Sequence, residues 1–93
     1  MGIDFDKGTR IDRQKIEEVM SLIRTWVKPE ELKYDEELDC LSFVRRDRND
    51  EPHYLYIFNI EDITIDPDMM VLRTSGRSTI YIHSSGMVTV MTH

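Results

Sequence analysis

One stretch, "GTRIDRQKIEEVMSLIRTWVKP", has helical periodicity, and it restricts the fold more than any other feature of the chain. Ile16, Val19, Met20, Ile23, Trp26 and Val27 recur at spacings of three and four with charged residues in the gaps, which makes one apolar helix face. Leu22 lies beside the stripe and widens it. Thr9 is a suitable N-cap with Asp12 three residues on, and Lys28-Pro29 is a stop because proline disfavours helical backbone in the residue before it. The pattern predicts a helix over residues 10–27, its stripe packed on a sheet.

Downstream the periodicity changes. "PEELKYDEELD" fits a short helical turn started by Pro29 no better than an extended segment. Residues 38–46 and 53–60 are rich in β-branched, aromatic and aliphatic side chains, and "RDRNDEP" between them marks a long-loop hairpin. In "HYLYIFNI" both alternating sets are bulky, Leu55 with Ile57 and Tyr54 with Tyr56 and Phe58, which predicts a strand that is central or covered on both faces. "EDITIDPD" alternates briefly and stops at Pro67, as a short strand or an extended connection would.

The segment "TSGRSTIYIHSSG" places two Ser/Gly clusters around an apolar run. A three-residue loop Ser84-Ser85-Gly86, with Gly86 left-handed, sets Ile82 opposite Val88 and Ile80 opposite Val90, so all four share one face. A two-residue turn at Ser75-Gly76 pairs Val71 with Ile80 and Met69 with Ile82 on that same face. A phosphate cradle would open a helix, and no helical pattern follows either glycine, so both clusters read as hairpin turns of a three-stranded meander. This register sends Met70, Leu72, Tyr81, His83, Met87, Thr89 and Met91 to the opposite face, which is too apolar to be left wet. Either a second copy or partner covers Met70, Leu72, Tyr81, Met87 and Met91, or another part of the chain does. The expected architecture is α+β: an N-terminal helix on a mainly antiparallel sheet of four to six strands ending in a three-stranded meander, all in one domain over residues 1–93.

Charge excludes several function classes. The formal net charge is −6, and residues 28–68 hold thirteen acidic against five basic side chains, whereas residues 69–93 hold only Arg73 and Arg77. The middle of the chain therefore repels nucleic acid and anionic membrane. Residues 1–9 carry Asp4, Asp6 and Lys7 without an apolar run, no segment approaches the ~20 apolar residues that span a bilayer, and the single Cys40 suits a reducing compartment, so a cytoplasmic chain is expected.

Candidate chemistry is sparse. His53, His83 and His93 lack metal-type spacing, and Cys40 in "LDCLSF" has no flanking base or helix start to activate it. Asp66 and Asp68 lack the glycine and closing glutamate of a calcium loop. No cofactor, metal or catalytic residue is expected, and the leading class is a non-enzymatic protein-binding module. Its acidic segment Glu30, Glu31, Asp35, Glu36, Glu37 and Asp39 would meet a basic, nucleic-acid-handling protein as an inhibitor or adaptor. The alternative is a direct nucleic-acid or nucleotide contact through Arg45, Arg46 and Arg48 beside Tyr54 and Tyr56, with Arg73 and Arg77 in support.

Overall fold

The computed structural model describes residues 12–92, and its helix α1 runs Arg13–Trp26. Asp12 is the N-cap: its backbone is extended, its carboxylate accepts from the Gln14 N–H at 3.4 Å, and its carbonyl accepts from the Lys15 and Ile16 N–H groups. The helix thus starts three residues later than a Thr9 cap would place it, with a carboxylate suited to the positive end of the helix dipole; Thr9 itself lies outside the described residues. Ile16, Val19, Met20 and Ile23 are buried, and the helix ends where Lys28 turns left-handed ahead of Pro29.

Among the described residues seven strands form two antiparallel sheets. β1 (Glu30–Asp35), β2 (Cys40–Arg46) and β3 (Pro52–Phe58) make the first, with β2 in the middle. β4 (Ile60–Ile65), β5 (Met69–Thr74), β6 (Ser78–His83) and β7 (Val88–Thr92) make the second, in chain order. The α+β class and the closing meander stand, but the sheet of four to six strands is in fact two sheets, since residues 29–37 extend into β1 and residues 60–65 into β4. A bulge at Glu31, which is left-handed, lets β1 keep Leu32 and Tyr34 against the core.

Asn59 switches the chain between sheets within one residue. It adopts a left-handed conformation, donates its N–H to Asp39 and accepts from the Ser75 N–H, so its peptide groups tie the β1–β2 turn to the β5–β6 turn. This break ends β3 at Phe58 and leaves β3 on the edge of its sheet, not at its centre. Leu55 and Ile57 face the core, while Tyr54, Tyr56 and Phe58 stay exposed. The expected cover on both faces fails, since among the described residues no element lies on the outer side.

The β6–β7 turn has the expected form: Ile82 pairs with Val88 and Ile80 with Val90, with Gly86 at φ 98°. A Cβ on Gly86 would sit 2.9 Å from the Trp26 carbonyl oxygen, so this turn packs directly under the end of α1. The β5–β6 turn differs. Leu72, not Val71, pairs with Ile80, and Met70, not Met69, pairs with Ile82. Arg77 takes up a left-handed conformation, and the Thr74 hydroxyl both donates to the Ser78 carbonyl and accepts from its N–H, closing a three-residue loop. One extra residue flips the whole strand. Met70 and Leu72 therefore lie fully buried among Ile16, Val19, Ile23, Leu41, Phe43 and Ile82, in a core that the helix shares with both sheets.

Candidate partner-binding face

The outer face of the first sheet is shaped by a difference in side-chain size. Its central strand presents Cys40, Ser42 and Val44 outward, all buried, and these pair with Phe58, Tyr56 and Tyr54 on β3 and with Asp35 and Lys33 on β1. Small side chains in the middle and large ones on the flank leave a trough. Tyr54 and Tyr56 are each 63% exposed and Phe58 47%, at alternate positions roughly 7 Å apart along one strand. A depression of about 50 Å³ lies in it between Glu31, Lys33, Ser42, Val44, Tyr54 and Tyr56. The Ser42 hydroxyl lies on its floor, 7% exposed as a residue, with no hydrogen-bond partner among the described residues.

The acidic segment divides. Glu30 accepts from the Arg46 guanidinium at 2.9 Å, and Glu36 is held by Arg13, which also bonds Glu17 at 3.1 Å. Asp35 caps its own turn by accepting from the Glu37 and Leu38 N–H groups, and Asp39 accepts from the Tyr34 hydroxyl at 2.6 Å. Glu31 and Glu37 alone of the six have no side-chain partner among the described residues. The fold thus brings Glu30, Glu31 and Asp35 to the rim of the trough, engages Glu36 and Asp39 in local contacts, and leaves Glu37 exposed in the β1–β2 turn. Hydrogen bonds donated to carboxylates, Glu17 then Glu36 for Arg13 and Glu30 for Arg46, push both guanidinium pKa values up, so these arginines stay charged.

The arginine and tyrosine set divides as well. Arg46 shares the outer face with Tyr54 and Tyr56, but it is occupied by Glu30 and by the Asp50 carbonyl at 2.9 Å. Arg45, by strand alternation, lies on the opposite side, across from His53. Arg48 is exposed in the β2–β3 loop, Arg73 is exposed on β5, and Arg77 holds the β5–β6 turn. In the proposed methionine face, Met70 and Leu72 belong to the core, which leaves half-buried Tyr81 with exposed Met87 and Met91 on the outer side of the second sheet.

The residues with latent chemistry are structurally employed. Burial pushes the Cys40 thiol pKa up, the opposite of what a nucleophile needs. His53 bonds Asp47 at 2.9 Å, and that bond, helped by the Glu51 N–H, lowers the Asp47 carboxyl to about 2. His83 closes β6, and His93 lies outside the described residues. Among the described residues no cluster of three or more His, Cys, Asp or Glu side chains could hold a metal, and no helix is long and apolar enough to cross a membrane.

Residue-level reading of the sequence missed Ser42, Lys33 and Phe58 as parts of one face. The signal was there: pairing the hairpin across "RDRNDEP" sets Cys40, Ser42 and Val44 against the three aromatic residues. No protein-family model, curated protein or solved structure matches the chain.

Proposed function

We propose that the chain is a non-enzymatic protein-binding module, an inhibitor or adaptor that receives a basic segment of its partner on the outer face of the first sheet. The observation that carries the reading is the trough itself: two tyrosines, an unpartnered buried hydroxyl and the Glu31 carboxylate converge on one depression, with Lys33 on its border. A guanidinium or ammonium group is attracted to an aromatic face and to a carboxylate at the same time. The floor hydroxyl then finds a polar partner that the described residues do not supply. Asp35 adds negative charge at the rim, where the Glu30 charge is offset by Arg46, and such charge speeds encounter more than it deepens affinity.

The test is titration of the 15N-labelled chain with an arginine-rich peptide. Expected shifts centre on Glu31, Ser42, Tyr54 and Tyr56; Glu31→Lys with Tyr54→Ala weakens binding about tenfold or more, and Arg45→Ala with Arg48→Ala leaves it intact. Binding falls as the screening length shrinks from ~30 Å at 0.01 M salt to ~8 Å at 0.15 M. The second reading, single-stranded nucleic acid, draws on the same three aromatics, since alternate exposed rings on a strand are a stacking platform. It requires the reverse outcome, with an oligothymidylate bound and binding lost with Arg45, Arg46 and Arg48. No shift with either ligand would reject both.

A further inference from the structure

The two sheets have four edge strands, and they are protected unequally. β1 carries Glu30, Glu31, Lys33 and Asp35 together with a bulge, and β4 carries Glu61 and Asp62 with its own irregularity of register. Charges and bulges are the usual means of keeping an edge from pairing with another chain. β3 opens with Pro52 and His53, but from Tyr54 to Phe58 in β3, and from Val88 to Thr92 in β7, there is no bulge and no side chain with a formal charge. The two border one opening. A groove of about 240 Å³ runs beside β3, lined by Tyr54, Leu55, Ile57, Ile80 and Val90. Val90 points inward, opposite Ile80, yet is 55% exposed, with no described element over it.

Two further observations concern what would fit there. The Asn59 N–H donates to the Asp39 carbonyl at 2.8 Å, continuing the pairing of Phe58 with Cys40. Bonded pairs alternate in an antiparallel ladder, so Ile57, Leu55 and His53 bond toward β2, and the N–H and C=O groups of Tyr54, Tyr56 and Phe58 point out at the open edge. Independently, Tyr54-Leu55-Tyr56-Ile57-Phe58 is chemically symmetric about Tyr56, aromatic and aliphatic residues mirrored on either side. β7, Val-Thr-Val-Met-Thr, has no such centre.

We propose that the β3 edge binds a second copy of this chain, antiparallel about a two-fold axis through Tyr56, joining the two three-stranded sheets into one of six. An isologous contact needs residue i to meet j while j meets i. Here Tyr56 meets its own counterpart with outward N–H and C=O groups in the right phase, Tyr54 meets Phe58 of the second copy, and Leu55 meets Ile57. Aromatic pairs of this kind favour the association. Leu55 and Ile57 of the second copy extend the apolar layer toward Val90. With a net charge of −6 on each chain, the contact falls on an uncharged strand, two strands away from the acid-rich β1.

Sedimentation of the full chain over a concentration series, with amide exchange, tests this. Expected is a dimer in which the amides of Tyr54, Tyr56 and Phe58 gain protection with concentration, while those of Leu55 and Ile57 are protected throughout. Tyr56→Lys and Tyr56→Glu, at an exposed position, should each keep the fold by circular dichroism and raise the dissociation constant about tenfold or more by setting like charges face to face. Mixing the two variants should restore the dimer, because only a two-fold axis at residue 56 sets one charge against the other. A chain that stays monomeric, variants that dimerise like the parent, or a mixture that remains dissociated would each overturn the proposal.

Discussion

Leu72→Ala against Val71→Ala tests the register of the second sheet at adjacent residues of one strand. Leu72 is fully buried, paired with Ile80 and packed in the layer that α1 covers, while Val71 is half-buried on the outer face opposite Tyr81. Truncating Leu72 removes three carbons, about 2.4 kcal/mol at ~0.8 per buried methylene. The void left under α1 adds a cavity cost of about 24 cal/mol per Å³, which brings the loss to roughly 3–4 kcal/mol. Val71→Ala loses two carbons that water already half reaches, and should cost about 1 kcal/mol or less. At ~4–8 °C per kcal/mol for a domain of this size, thermal melts separate the pair by more than about 8 °C, and urea midpoints should order them in the same way. Equal losses, or a larger loss at Val71, would show that the β5–β6 loop is a two-residue turn and that the strand is turned over.

The two glycine turns should respond oppositely to alanine in denaturant melts. Gly86→Ala combines a φ of 98° with a Cβ only 2.9 Å from the Trp26 carbonyl and should cost about 2 kcal/mol or more, whereas Gly76→Ala meets nothing nearer than the Thr74 hydroxyl at 4.0 Å and should be neutral or stabilise by up to ~1 kcal/mol. Asp47 has its carboxyl pKa lowered to about 2 from the model-compound 3.8 by the His53 bond, so the stability it contributes is present above about pH 4 and is lost as pH falls through 2. In a 13C titration of the carboxyl, His53→Gln should move the midpoint up toward 3.8; an unchanged midpoint would assign the shift to the loop N–H groups. Ile82→Ala should destabilise by about 2–4 kcal/mol and Val90→Ala by less than half of that, since Val90 shares the face of Ile82 but not its cover.

Much of the local structure was legible without coordinates. The helix face followed from spacing alone, because 3.6-residue periodicity with Ile, Val and Met on one side has few other uses, and the Ser84-Ser85-Gly86 turn followed because only a three-residue loop keeps Ile80, Ile82, Val88 and Val90 together. Three features were decided only by the structure. The β5–β6 register turned on Arg77 accepting a left-handed conformation and on a threonine hydroxyl closing the loop, which composition at Ser75-Gly76 did not reveal, so Met70 and Leu72, whose cover could have been a partner or the chain itself, lie in the core. Two sheets arose from one left-handed Asn59 held by Asp39 and Ser75, residues 20 and 16 positions away from it in the chain. The candidate face came into view only when the small outward residues of β2 were set beside the aromatics of β3. Sequence determined which residues could pack as a helix or a strand, since periodicity is local; tertiary structure decided which of two apolar faces is covered, since that depends on what lies across from it.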